Sequence, residues 1–134
     1  MAKITEVEGI GPANAEKLEG CGITTREQLL EQCAEKKGRV AIAEKSGISE
    51  KQILNWTNRA DLCRIKGVGE EYADLLECAG VDTVPELAQR KSENLHQKLE
   101  EINQEKSLVR ALPSGDQVAK WVEEAKTLPK KVTH

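Results

Sequence analysis

The strongest constraint on this chain is an internal repeat marked by glycines. At an offset of 58 residues Gly9 faces Gly67, Gly11 faces Gly69 and Gly22 faces Gly80, while Ala15 faces Ala73 and Leu18 faces Leu76. The apolar phase is kept as well, with Ile23 on Val81 and Leu29 on Leu87, and Thr25 falls on Thr83. Chance does not hold three glycines and the apolar positions between them in register, so the chain reads as two copies of one unit. The likeness returns at an offset of 65, where Ser49, Gln52, Ile53 and Trp56 match Ser114, Gln117, Val118 and Trp121. The second copy therefore carries seven extra residues, which fall between Glu93 and Pro113. The expected division is a first repeat over 1–60, a second over 61–127 and a basic tail over 128–134 that frays.

The punctuation is helical. Pro12 follows the first glycine turn, where a preset φ suits the start of a helix. Gly22 and Gly80 stand where a left-handed residue ends one. Thr25-x-x-Gln28, Thr83-x-x-Glu86, Ser49-x-x-Gln52 and Ser114-x-x-Gln117 read as capping boxes at the start of later helices. Ile53 and Trp56, then Val118, Trp121, Val122 and Ala125, recur at three- and four-residue spacing, one apolar stripe per helix. No segment alternates with period two for long enough to make a strand. Two Trp, one Tyr and no Phe leave a core of Leu, Ile, Val and Ala, which also suits helices. The expected fold is all-α, roughly ten short helices in two pseudo-repeated lobes.

The pattern apolar-x-Gly-apolar-Gly-x-x-x-Ala-x-x-Leu occurs as Val7 to Leu18 and again as Ile65 to Leu76. It resembles the helix-hairpin-helix family. Two glycines permit backbone angles closed to other residues, the apolar residue between them anchors the turn, and Ala15 or Ala73 lets the helices pack closely. The second helix of such a motif begins with unpaired amides, which suit a phosphate oxygen. The resemblance implies a sequence-independent contact to nucleic-acid backbone, often aided by a basic residue early in that helix. The residues that would make it are Gly9, Ile10, Gly11, Asn14 and Lys17 in the first copy and Lys66, Gly67 and Gly69 in the second. The copies differ here: Pro12, Ala13 and Asn14 follow Gly11, whereas Glu70 and Glu71 follow Gly69 where a phosphate would sit. Lys3 and Lys17 can assist the first turn, and Arg64 with Lys66 the second. The alternative for both turns is a helix corner or a docking point for a protein.

A closer resemblance covers nearly the whole chain. The first hairpin, the run Gly-Arg-Val-Ala-Ile-Ala-Glu-Lys-Ser-Gly-Ile-Ser-Glu over 38–50, Ile53-Leu54-Asn55-Trp56 and the second hairpin from Ala60 to Gly69 are similar to the bacterial domain-of-unknown-function family 4332. So are Tyr72-Ala73-Asp74-Leu75-Leu76, Pro113 and Trp121. That family is grouped with helix-hairpin-helix proteins and has no settled activity, so the resemblance speaks for the fold.

Charge separates the copies. Residues 1–60 carry nine Lys/Arg and nine Asp/Glu, residues 61–127 carry nine and fourteen, and Lys130 and Lys131 bring the total to −3. An acidic second half is a poor surface for a polyanion. The densest basic cluster of the first copy, Lys36-Lys37-Gly38-Arg39, reads as a solvated loop or as a second phosphate contact. Trp56 and Trp121 read as packing residues, with base stacking as the alternative; Tyr72 reads as an exposed contact or a half-buried ring.

The four cysteines form no C-x-x-C pair, so a structural zinc site is not implied. Cys21 and Cys78 read as small packed thiols near helix ends, with a redox response as the alternative. There is no Ser/His/Asp or Cys/His pattern and no phosphate-binding Gly-Lys-Ser/Thr loop; His96 falls in a charged helix over 92–105. Neither an enzyme nor a cofactor is expected. No apolar run approaches the roughly 18 residues of a membrane span, and no targeting segment is evident, which leads to an expected cytoplasmic location. The leading functional expectation is a non-enzymatic module touching nucleic-acid backbone through the first hairpin. Its rival is a protein-interaction scaffold using the acidic second repeat around Glu70, Glu71 and Asp74.

Overall fold

Glycine and serine punctuation divides the chain much as its residue types require. The structure is a computed structural model and describes residues 3–7 and 10–133. Among these residues it is all-helical, with one 3-10 turn (Ile4–Glu6) and eight α-helices. These are α1 (Gly11–Gly20), α2 (Arg26–Cys33), α3 (Lys36–Ser46), α4 (Glu50–Leu62), α5 (Glu70–Cys78), α6 (Val84–Ala88), α7 (Ser92–Lys106) and α8 (Gly115–Thr127). Extended pairing among the described residues amounts to one isolated bridge, Lys3 to Thr25. Eight α-helices form among the described residues rather than roughly ten. Residues 4–6 close only a 3-10 turn, and residues 107–114 run from left-handed Ser107 (φ 51°) past Pro113 without helix.

The chain divides into two compact units, Met1–Asp61 with Lys131–His134 and Leu62–Lys130. In the first, Ile4, Ile10, Leu18, Ile23, Leu29, Ile53 and Trp56 are buried together in one core. Helix α1 ends in a Schellman motif: Gly22 is left-handed (φ +87°), its N–H donates to Glu19 O, and Ile23 N–H donates to Leu18 O at 3.0 Å. Both Leu18 and Ile23 are fully buried, supplying the apolar contact that accompanies this cap. Helix α2 is capped by Thr25, whose Oγ1 accepts from Gln28 N–H at 3.1 Å. The reciprocal arm reaches one residue further back than a capping box, with Gln28 Oε1 accepting from Thr24 N–H at 2.8 Å.

Two features of the first unit depart from expectation. Lys36-Lys37-Gly38-Arg39 is not a loop but the first turn of α3, with Arg39 buried. The tail is not frayed through its described length. Val132 is buried beside Leu30 and Ala60, and Thr133 N–H donates to Ala34 O at 2.8 Å.

The second unit buries Leu62, Ile65, Leu75, Leu76, Val81, Leu87, Leu99 and Trp121 in its own core. Helix α5 ends as α1 does, with Gly80 at φ +88° and Val81 N–H donating to Leu76 O at 2.9 Å. The Thr83 capping box does not form: its side chain makes no cap bond, although Glu86 Oε2 accepts from Asp82 N–H at 3.3 Å. Ser114 Oγ does cap α8, accepting from Gln117 N–H at 3.1 Å, as Ser49 Oγ accepts from Gln52 N–H at 3.2 Å for α4. Helix α7 has 15 residues against 11 in α3, and the connection over 107–114 follows it.

Candidate nucleic-acid interface

In the first unit the backbone turns into α1 by two short bonds, Val7 N–H to Ile4 O (3.2 Å) and Ile10 N–H to Val7 O (3.3 Å). Ile10 is 2 % exposed and plugs the core beneath the turn. Gly9 lies outside the described residues. Gly11 opens α1 at φ +70°, is exposed, and has nothing within 4 Å of where a Cβ would stand. Only glycine takes that φ readily, so the residue type is set by the backbone and the space above it is open. The first turn of α1 has neither an acidic residue nor a side-chain cap. Its amides therefore present the positive end of the helix to solvent, less the one that Pro12 lacks. Asn14 is half-buried and Lys17 exposed, three residues apart along the same side of the helix. Lys17 belongs to the last turn of α1, away from the helix start, and Lys3 is exposed.

In the second unit the same two bonds recur as Ile65 N–H to Leu62 O and Val68 N–H to Ile65 O, each 3.1 Å. Val68 is buried as Ile10 is. Here the left-handed glycine is Gly67 (φ +91°), whereas Gly69 is the extended N-cap of α5 (φ −98°). A Cβ on Gly67 would meet Trp121 Nε1 at 3.3 Å, so that glycine also answers a close approach by α8. The surroundings are acidic. Glu70 and Glu71 occupy the first turn of α5, and Lys66 N–H donates to both carboxylate oxygens of Glu124, at 3.2 and 3.3 Å. Lys66 and Gly69 are exposed, and the Arg64 guanidinium donates to Pro129 O at 2.9 Å. Glu124 was not among the expected site residues. The available signal was its register, since the 65-residue offset sets it opposite Arg59.

Other candidates resolve differently from their sequence readings. Arg39 is 1 % exposed and unavailable to a phosphate. Its Nη1 donates to Cys33 O (3.0 Å) and Ala34 O (2.9 Å), and its Nη2 to Thr133 O (2.6 Å). Lys36 and Lys37 remain exposed. Trp56 and Trp121 are both buried, which removes base stacking as their role. Tyr72 is half-buried against Trp121, ring centroids 5.3 Å apart, and donates its hydroxyl to Ala111 O at 2.9 Å. Of the four free thiols, Cys33 is buried, Cys21 and Cys63 are intermediate, and Cys78 is exposed rather than packed. Burial pushes the Cys33 thiol up to about 11, against smaller lowering effects from a hydrogen bond with Thr57 and the Arg39 charge.

The fold also gathers Ser92, His96 and Asp116 along one cleft of about 410 Å³, a grouping the sequence spacing did not suggest. Both imidazole nitrogens are engaged: Nε2 lies 3.0 Å from Pro113 O and Nδ1 3.1 Å from Glu100. Both contacts are to acceptor oxygens on residues other than Ser92. Among the described residues no group of three or more His, Cys, Asp or Glu could hold a metal ion, and no helix is long and apolar enough to cross a membrane.

Neither a curated protein nor a solved structure matches the chain. A family model does, over residues 8–128, which takes in both turns, both cores' principal helices and Glu124. The chain belongs to the family described as a domain of unknown function, DUF4332.

Proposed function

We propose that this chain is a non-catalytic tandem helix-hairpin-helix module that holds nucleic-acid backbone, without reading sequence, at its first turn. The observation that carries this is the start of α1. An exposed Gly11 at φ +70° leads into a helix whose first turn has no acidic residue and no side-chain cap. The tandem reading draws support from backbone bonds that recur 58 residues apart: those entering each turn, and those that close α1 and α5 with Gly22 and Gly80. The non-catalytic reading draws support from the engaged His96 ring. Four free thiols suit a cytoplasmic location. The acidic second turn favours a basic protein surface as the rival contact, through Glu71 in particular, which is exposed.

The test is fluorescence anisotropy with labelled duplex and single-stranded DNA. Binding should be measurable at about 50 mM salt and weaken steeply by about 200 mM, because each neutralised phosphate releases counterions. Gly11→Glu should remove it, and Gly11→Asn, which tolerates positive φ, should keep most of it. Absence of binding at the lower salt would reject the nucleic-acid reading and favour the scaffold.

A further inference from the structure

The two turns differ in what lies against them. In the second unit the amide that leads into the Gly67–Gly69 turn is already bonded to a carboxylate, Glu124, on α8. We infer that Glu124 is a built-in anion for the second turn: it holds the Lys66 amide and, by its charge, keeps phosphate away, leaving the chain one nucleic-acid contact instead of two. The inference rests on the reading of these turns as phosphate seats, and it goes beyond that reading in naming the residue that sets how many of them operate.

Three observations support it. The carboxylate straddles the amide, its oxygens 3.2 and 3.3 Å from Lys66 N, so it fixes a negative charge beside the Gly67–Gly69 turn that a phosphate would have to approach. The position is charge-reversed between the copies, since the residue opposite Glu124 at the 65-residue offset is Arg59. Its neighbour Glu123 is spent differently, in an ion pair with Lys126 at 3.0 Å, so the two adjacent glutamates serve separate ends.

The experiment compares Glu124→Arg, which installs the first copy's residue type, with Glu123→Arg, which makes the same change in net charge one residue away. Glu124→Gln is the conservative partner, because it keeps a hydrogen-bond acceptor for Lys66 N–H while removing the charge. Circular dichroism establishes that each variant retains its helices, and anisotropy with a labelled duplex reads binding at about 50 and 200 mM salt. One added phosphate contact steepens the salt dependence by a factor of roughly 3.5 over that range. Glu124→Arg should show this added dependence and tighter binding at low salt, Glu124→Gln a smaller gain, and Glu123→Arg neither. The gain should persist when Gly11→Glu has disabled the first turn. Equal effects of the two arginine variants, or no gain from any of them, overturn the inference. If the unmodified chain binds and loses binding with Gly11→Glu, that outcome leaves the first-turn reading standing alone. Binding by Glu124→Arg where the unmodified chain shows none supports the inference and overturns the first-turn reading; silence in both overturns both.

Discussion

Replacing Gly38 by alanine sets two effects of opposite sign against each other. Within an exposed helix, glycine is less favourable than alanine by about 1 kcal/mol, so Gly38→Ala near the start of α3 would ordinarily stabilise. Here a Cβ would stand 1.9 Å from Gln32 O, a backbone atom of α2, whereas ordinary contact begins at 3.4 Å. The helices would have to part by about 1.5 Å at that point. Both bury side chains in the first unit, Leu29 and Cys33 from α2 and Ile42 from α3, so neither can yield without opening the core. Overpacking of this kind costs about 1–3 kcal/mol, and a rigid carbonyl as the obstacle favours the upper end.

The net expectation is a loss of about 2 kcal/mol, or roughly 8–16 °C in the melting temperature of a unit of this size. Gly20→Ala is the matched control: that glycine ends α1 with a negative φ and nothing within 4 Å, so the same substitution should be neutral or stabilising. Thermal melts followed by circular dichroism, with amide exchange in α2 and α3, make the comparison. A Gly38→Ala protein as stable as the original would refute the argument from close approach.

Arg39→Met should destabilise the first unit by about 3 kcal/mol in urea unfolding, because it strands the Cys33, Ala34 and Thr133 carbonyls that the guanidinium serves. Amide protection at Thr133 should fall in the same variant. Ser114→Ala should cost about 1 kcal/mol in the second unit through loss of its bond to Gln117 N–H. Because the Cys33 thiol is raised from 9.0 to about 11 in the folded chain, its contribution is fully present below pH 9. It is lost as pH rises toward 11, since the unfolded thiol ionises first. Urea unfolding across that interval should show a fall that Cys33→Ser flattens, and alkylation near pH 8 should label exposed Cys78 well before Cys33.

How much was legible in the sequence depended on the range of each interaction. The turns and helix ends were readable because their cause is local. Gly22 and Gly80 close bonds spanning five residues, Leu18 to Ile23 and Leu76 to Val81, so their spacing alone carries the geometry. The all-helical class followed from the same punctuation. Arg39 was not readable, since a basic run looks solvated until Thr133, 94 residues away, lends it a carbonyl. Gly38 was obscured for the same reason: its role is set by Gln32 on another helix. At the candidate site, Glu70 and Glu71 were visible because they follow the glycines directly. Glu124 was not, because its bond to Lys66 depends on how α8 packs within the second unit. Thr83 shows the converse error, a correct local motif whose cap bond is absent.

The two turns differ in electrostatics more than in shape. Ile10 and Val68 are buried alike, and the bonds entering each turn repeat, because any change there would open a core. The outward positions carry no such penalty and differ, with Pro12 and Ala13 in one unit and Glu70 and Glu71 in the other. A carboxylate about 4 Å from a phosphate opposes it by about 1 kcal/mol in water and about 4 kcal/mol near a protein surface. A helix N-terminus contributes only about 0.3–1 kcal/mol in an anion's favour at an exposed site. A carboxylate held at the turn therefore outweighs what the turn offers an anion, and Glu124, bonded to the Lys66 amide, is held there. The first turn of α1 has no acidic residue. Geometry set by packing can thus recur in both units while the charge around it differs.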